Sequence, residues 1–115
     1  MEPIEVNAGQ VYLRGLRADD RVDDRPALAE GGITDAGYVA DRARHWTEDT
    51  AYTWAVCDIT SGQLRAELVL DPHTGALSGW ARDGEQALLD DGIAAVRRFA
   101  EGALGVTVTD VNTPS

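Results

Sequence analysis

The stretch that decides the fold runs from Tyr52 to Leu70 and reads YTWAVCDITSGQLRAELVL. Its first part, Tyr52 to Ile59, is rich in aromatic and β-branched residues, which favour strands. Its second part, Leu64 to Leu70, alternates apolar and polar residues with the period of two that a strand requires. The link Thr60-Ser61-Gly62 is a hairpin signal. The stretch therefore predicts two antiparallel strands that lie side by side in a sheet.

The residues before this hairpin predict one strand and two helices. Residues 1–10 are polar and are expected to form a loose lead-in. Val11 to Arg17 (VYLRGLR) alternates in the manner of a strand. Pro26 suits the first turn of a short helix, and Thr34 is an expected N-cap for a second one.

The residues after the hairpin predict a strand, a long helix and a last strand. The turn Asp71 to Gly75 leads into a short strand from Ala76 to Arg82. Asp83 with Gln86 three residues on resembles a capping box that opens the long helix, and Gly105 is a natural stop for it. The apolar stripe of this helix consists of Leu89, Ile93, Val96, Ala100 and Ala103. A final strand is predicted over Val106 to Val111, followed by an irregular tail over 112–115.

Together these elements predict one α/β (α+β) domain over residues 1–115, in the order β-α-α-β-β-β-α-β. A chain of 115 residues fits a single domain. Three strands joined by tight turns form an antiparallel meander. The last strand, reached through a long helix, is expected to return parallel to its neighbour, which completes a mixed sheet with a βαβ unit.

The net charge of the chain restricts the kinds of molecule that it is expected to bind. The net charge is −10, and all ten basic residues are arginine. An acidic surface repels phosphate backbones and anionic lipids, so no nucleic acid or membrane partner is expected. The absence of lysine excludes Schiff-base and P-loop lysine chemistry. The use of arginine without lysine also suggests a GC-rich coding genome and so favours a bacterial source.

Cysteine and histidine content argues against a metal site. Cys57 is the only cysteine, so a zinc-thiolate cluster and an internal disulfide are excluded, and a buried structural thiol is expected. Neither His45 nor His73 has a second ligand at metal-binding spacing, so no metal is predicted. With no signal peptide and no apolar run of membrane-spanning length, the expected location is cytoplasmic.

Several phrases, taken in order, resemble the GNAT superfamily of N-acetyltransferases, especially its ribosomal-protein and antibiotic branch. The strand Leu13-Arg14-Gly15-Leu16-Arg17 is followed by acidic residues, and Trp54-Ala55-Val56 leads into the turn Thr60-Ser61-Gly62-Gln63. Other matching places are an aromatic strand, a long helix ending in phenylalanine, and an asparagine after the next strand. These are Trp80, Phe99, and Asn112 with Ser115.

The chain departs from that family where coenzyme A would bind. The resemblance implies a basic, Gly-rich turn before the long helix, which holds the pyrophosphate at the helix N-terminus. Here the turn Arg82 to Gln86 reads RDGEQ, is several residues short, and sets one arginine against two carboxylates. Asp90 and Asp91 add negative charge. Carboxylates take the place of a phosphate at a helix N-terminus, so no cofactor is predicted. The chain also ends where the family continues into a segment that completes its active site.

Candidate site residues follow from the residues and from the resemblance. Glu67 lies mid-strand, and a helix over its face would make it a buried base with a raised pKa; on an open face it would be ordinary. His45 is a second candidate for proton transfer, or a helix-terminal surface histidine. The candidate ligand-binding residues are Trp54, Trp80, Arg82 and Asn112; the two indoles would otherwise be core, and Arg82 would otherwise neutralise Asp83.

Three functions remain open. The leading hypothesis is a shortened GNAT-like protein without acetyl-coenzyme A-dependent activity, which acts as a homodimeric binding or accessory protein and pairs through the Val106 to Val111 edge strand. The alternative is a cofactor-free enzyme of a bacterial biosynthetic pathway that acts on a small molecule or peptide in the vacated groove. It requires the candidate residues to converge on one pocket. The third is a fragment of an N-acetyltransferase.

Overall fold

The predicted hairpin forms the centre of a six-stranded sheet in a computed structural model that describes residues 1–113. The strands lie in sequence order across the sheet. Their bounds are β1 Val6–Ala8, β2 Val11–Arg14, β3 Tyr52–Asp58, β4 Leu64–Leu70, β5 Ala76–Ala81 and β6 Asp110–Asn112. The helices are α1 Arg25–Glu30, α2 Tyr38–Glu48 and α3 Gln86–Phe99.

The strand directions confirm the predicted fold class. From β1 to β5, each strand is antiparallel to the next. Strand β6 returns parallel to β5 after α3, with Leu77 opposite Val111. A meander followed by a βαβ unit is therefore present, with one strand more than the sequence predicted.

That additional strand corrects the prediction of a loose lead-in over residues 1–10. Val6 to Ala8 pair with β2, and the Met1 ammonium donates to the Trp46 carbonyl over 2.7 Å. Ile4 and Val6 also pack against the core. The prediction was wrong because a three-residue strand is too short to produce a readable period.

The last strand is shorter than the predicted Val106 to Val111. Val106 donates its N–H to the Ala100 carbonyl and so closes the end of the helix, while Val108 is buried in the core. Only Asp110 to Asn112 pair with β5, so Asn112 belongs to a strand rather than to the tail. Ser115 lies outside the described residues.

The helix beginnings also differ from the predictions. Helix α2 begins at Tyr38, after Gly37, rather than just after Thr34. Glu85 is the N-cap of α3 and makes no side-chain cap bond, so the Asp83–Gln86 capping box is wrong. The Gln86 amide donates instead to Asp90 over 3.0 Å. As predicted, Gly105 ends the helical segment, which continues beyond α3 as a π-helical turn, Ala100–Leu104, and places Gly105 at φ 66°.

The sheet is covered on both faces. Helix α3 packs on one face, where Gly92 comes so close that an added Cβ would lie 3.1 Å from Val56. Leu28 of α1 and Tyr38 of α2 pack on the other face, against Ala55 and Cys57. Because successive strand residues point to opposite faces, this second layer decides which β4 side chains are buried.

None of the helices within residues 1–113 combines the length and the apolar character needed to cross a membrane.

Candidate functional site

Glu67 lies at the centre of the sheet and is 2% exposed. It stands in the middle of β4, opposite Ala55 of β3 on one side and Trp80 of β5 on the other. The Trp80 indole N–H donates to Oε1 over 2.8 Å, and the Tyr38 hydroxyl donates to Oε2 over 2.8 Å. Both carboxylate oxygens therefore have a partner from the protein itself.

Burial controls the electrostatics of this cluster. It raises the pKa of the Glu67 carboxyl, and the hydrogen bonds from Tyr38 and Trp80 oppose that rise only in part. Burial and the neighbouring Glu67 charge raise the pKa of Tyr38 to about 12. The Arg42 guanidinium lies 4.8 Å from the centre of the Tyr38 ring. Tyr38 therefore keeps its proton and acts as a hydrogen-bond donor to Glu67, and α2 supplies the cover over this face that a buried Glu67 requires.

Trp54 lies on the opposite face of the sheet from Glu67. Its ring contacts Trp46 and Phe99 edge-on at centroid distances of 5.1 and 5.9 Å, and its N–H donates to the Ile4 carbonyl over 2.8 Å. It is fully buried in the core under α3. Its position therefore matches the core alternative, and it does not converge with Glu67 on one pocket.

His45 and Asn112 are also separate from Glu67. His45 is half-buried in the last turn of α2, about 10 Å along the helix axis from Tyr38. Its Nδ1 is buried and has no hydrogen-bond partner within residues 1–113. Asn112 is exposed in β6, two strands from β4. The structure thus brings together only Glu67 and Trp80 among the candidate residues.

Arg82 belongs to a second place, at the end of β5. Its guanidinium donates to both oxygens of Glu30 at 2.8 and 3.2 Å and to the Leu64 carbonyl at 3.2 Å. The sequence suggested Asp83 as one alternative partner of Arg82; the observed partner, Glu30, comes from α1. Arg82 lines a cavity of about 460 Å³ that does not include Glu67.

The turn before α3 is acidic, as its sequence indicates. Glu85 is the N-cap of α3 and accepts from Arg65 at 3.4 Å. Arg65 also donates to Asp58 at 2.9 Å. Since Arg82 is held by Glu30, Arg65 and Arg82 both already have carboxylate partners within the protein.

Two parts of this region were not predicted from the sequence. The first is a buried ion pair, in which Arg14 donates to both oxygens of Asp24 at 2.8 Å and the exposed fractions are 4% and 3%. The second is the Tyr38 hydroxyl. No spacing rule links Asp24 to Arg14 or Tyr38 to Glu67, because these pairs lie ten and 29 residues apart. The one available signal was Arg14 itself, a charged residue at the end of β2 after valine, tyrosine and leucine.

Several solved structures share the fold of this chain. No protein-family model matches the chain, and no curated protein shows significant sequence similarity to it. One similar structure, from Vibrio cholerae and described as a ribosomal-protein-serine acetyltransferase, has a TM-score of 0.71 and 15% identity over 92% of this chain and 72% of its own.

Two further structures agree with the first. One, from Sphaerobacter thermophilus and described as an acetyltransferase, has a TM-score of 0.57 and 13% identity, over 90% of this chain and 67% of its own. A GCN5-related N-acetyltransferase from Brucella melitensis has a TM-score of 0.56 and 18% identity, over 92% and 58%. At such identities the likeness shows the fold alone, and the chain has the fold of the GNAT acetyltransferases.

Proposed function

We propose that this chain is a GNAT-fold binding protein without acetyl-coenzyme A-dependent activity, and that two copies pair through β6. The observation that carries the first part is the acidic turn before α3. Glu85 is the N-cap of that helix, and Arg65 and Arg82 are engaged by carboxylates of the protein itself.

The N-terminus of a helix binds a pyrophosphate through its backbone N–H groups and its dipole, and carboxylates at that place repel it. Here a bound pyrophosphate would approach Glu85 and would compete with Asp58 and Glu30 for the two arginines. The net charge of −10 adds long-range repulsion of a polyanion. These features support a GNAT fold that is used for binding rather than for acyl transfer.

A thermal-shift titration with acetyl-coenzyme A and free coenzyme A tests this part. A ligand at 100 times its dissociation constant stabilises a fold by about 2.7 kcal/mol, which is easily measured. We expect no saturable shift for the wild-type protein. A saturable thermal shift that appears in the double variant Asp83→Ser/Glu85→Ser but not in wild type would identify these two carboxylates as the groups that prevent coenzyme A binding. A saturable wild-type shift would overturn the proposal and would favour an N-acetyltransferase fragment.

The second part, pairing of two copies, is supported by the sheet edge. Within residues 1–113, no strand pairs with the outer edge of β6. Val111, in the middle of β6, is 36% exposed, and proteins generally cover such edges. In a two-fold arrangement the same patch meets itself, so two antiparallel β6 strands would bring the two Val111 side chains close together.

Sedimentation velocity over a range of protein concentrations tests the pairing. We expect a dimer that Val111→Lys converts to a monomer, because a charged side chain at a strand edge blocks pairing. Ile59→Lys is the matched control, since Ile59 is also exposed, at 57%, but follows β3. Salt should strengthen the dimer by screening the repulsion between two acidic chains. A wild-type monomer at every concentration would sink the pairing.

The enzymatic alternative is supported by the buried carboxylate of Glu67. A substrate would reach it only if Tyr38 or Trp80 moved away, because their hydrogen bonds occupy both carboxylate oxygens. The test is incubation of the protein with a metabolite panel, with conversion followed by mass spectrometry. Conversion that is lost in Glu67→Gln would support the enzyme; conversion that survives this change would exclude Glu67 as its base.

A further inference from the structure

A cavity of about 460 Å³ opens beside the buried Arg14–Asp24 ion pair. One wall is the segment that leads from β2 into α1, and the other is the hairpin between β3 and β4, with Arg82 at the end of β5. Its volume lies within the range of small-molecule sites. The polar residues that line it and carry the argument are Arg21, Asp23, Asp24, Glu30, Gln63 and Arg82.

Among the charged residues that line this cavity, Arg21 is the one whose side chain has no ion-pair partner within the described residues. Asp23 is paired with Arg25 at 2.8 Å, Asp24 with Arg14, and Glu30 with Arg82. The Arg21 side chain makes no hydrogen bond or ion pair with any residue in the described range. Only its backbone N–H is engaged, by Asp19 at 2.9 Å. The surplus group is therefore an exposed guanidinium, which recognises a carboxylate or a phosphate through paired N–H donors.

The remaining lining suits a short apolar body with one further polar contact. Pro26, Ala27 and Leu64 provide apolar surface in the same cavity. The Gln63 side chain, on the hairpin side, makes no hydrogen bond within residues 1–113 and offers both a donor and an acceptor. Such a combination of an apolar wall with a few polar groups is typical of ligand pockets.

Glu30 shows which chemical group fits at Arg82. Its carboxylate accepts two hydrogen bonds from the guanidinium, at 2.8 and 3.2 Å. The Glu30 side chain is 53% exposed, so it can leave for water at little cost. A carboxylate from a ligand would make the same two bonds at Arg82, in competition with Glu30.

We propose that this cavity binds a small monocarboxylate with a short apolar body. Arg21 donates hydrogen bonds to the one carboxylate of the ligand, and Pro26 and Ala27 contact its apolar body. The same carboxylate competes with Glu30 for Arg82. A single negative charge is favoured over phosphate because a chain with net charge −10 repels a multiply charged anion more strongly. The site goes beyond the proposed function, and its test does not depend on the coenzyme A or sedimentation results.

The test is an amide NMR titration of the full chain with sodium salts of straight-chain monocarboxylates, and in a separate arm with inorganic phosphate. We expect saturable shifts for the amides between Arg21 and Ala27 and between Ser61 and Leu64. Each added methylene should tighten binding by up to about fourfold until the cavity is filled. Absence of saturable shifts at these amides with every carboxylate would overturn the proposal, and tighter binding of phosphate would overturn the ligand class.

Three variants separate this site from non-specific anion binding. Arg21→Ala should weaken carboxylate binding by about tenfold, because a hydrogen-bonded charged partner is lost. Glu30→Gln should tighten carboxylate binding, since residue 30 then no longer competes with the ligand as an anion for Arg82. Arg97→Ala removes an exposed arginine on α3 and should leave binding unchanged. Equal binding by wild type and Arg21→Ala would refute the assignment.

Discussion

Trp80 donates its indole N–H to the Glu67 carboxylate over 2.8 Å, and the two residues lie directly opposite each other in the β4–β5 ladder. Tyr38 donates to the other carboxylate oxygen from α2. One acidic side chain therefore ties the second helical layer to the middle of the sheet. Both carboxylate oxygens of Glu67 are hydrogen-bonded, but burying the charged carboxylate still costs free energy of folding.

The first prediction concerns the pH dependence of stability. Burial raises the pKa of Glu67 above the ordinary value of 4.5 for a glutamate side chain. The stability that this group contributes is therefore present below the unfolded pKa and is lost as the pH rises through the folded pKa. Glu67→Gln cannot ionise. Urea denaturation at several pH values, from the unfolded pKa of Glu67 to above its folded pKa, should show the variant gaining stability relative to wild type as the pH rises. A difference that does not change with pH would contradict the raised pKa.

The second prediction tests the Arg14–Asp24 ion pair. Asp24→Ala leaves a buried guanidinium unpaired and should lower the free energy of unfolding by about 3–5 kcal/mol, measured by urea denaturation. Arg14→Met combined with Asp24→Leu removes both charges and should recover most of that loss. Asp23→Ala is the matched control, because Asp23 is the adjacent aspartate in an exposed pair. A double variant as unstable as Asp24→Ala would argue against the charge mechanism.

The third prediction concerns the contact between Gly31 and Trp80. A Cβ added at Gly31 would lie 2.6 Å from the indole carbon Cη2, although the backbone φ of −90° suits any residue. Gly31→Ala should therefore displace the indole and destabilise the fold by about 1–3 kcal/mol, as overpacking does. The thermal melt and the near-ultraviolet circular dichroism of the tryptophans report both effects.

Gly102→Ala is the control for this substitution, because an added Cβ meets nothing within 4 Å there. It should leave stability unchanged or increase it by reducing the freedom of the unfolded chain. Equal melting temperatures for Gly31→Ala and wild type would show that Trp80 is not held against α1.

The fourth prediction concerns Cys57, which is fully buried beneath α1. Burial raises the pKa of its thiol to about 11, so almost no thiolate forms at neutral pH. Labelling with an aromatic disulfide reagent should be slow in the native protein and should become fast in step with urea unfolding. Rapid labelling without denaturant would show that the sheet face near Cys57 opens readily.

Local signals accounted for most of the secondary structure. The alternation in β4 and the aromatic and β-branched residues of β3, with the turn signal between them, predicted the central hairpin, and the apolar stripe predicted α3. The short strand β1 was not predicted, because three residues carry no measurable period. The strand predicted over Val106 to Val111 is too long at its start, where Val106 and Val108 alternate with Thr107 and Thr109. Their alternation serves core packing beside the helix end, not strand pairing.

The sequence by itself determined the fold class, the order of elements from β2 onward, the expected burial of Cys57 and the acidic turn before α3, because each depends on residues close together in the chain. Only the tertiary structure decided that Glu67 is buried between Tyr38 and Trp80, that Trp54 lies on the other face, and that Glu30 holds Arg82. These outcomes depend on where α1 and α2 pack across the sheet. That packing is a sum of many weak contacts between distant residues, and no local spacing encodes it.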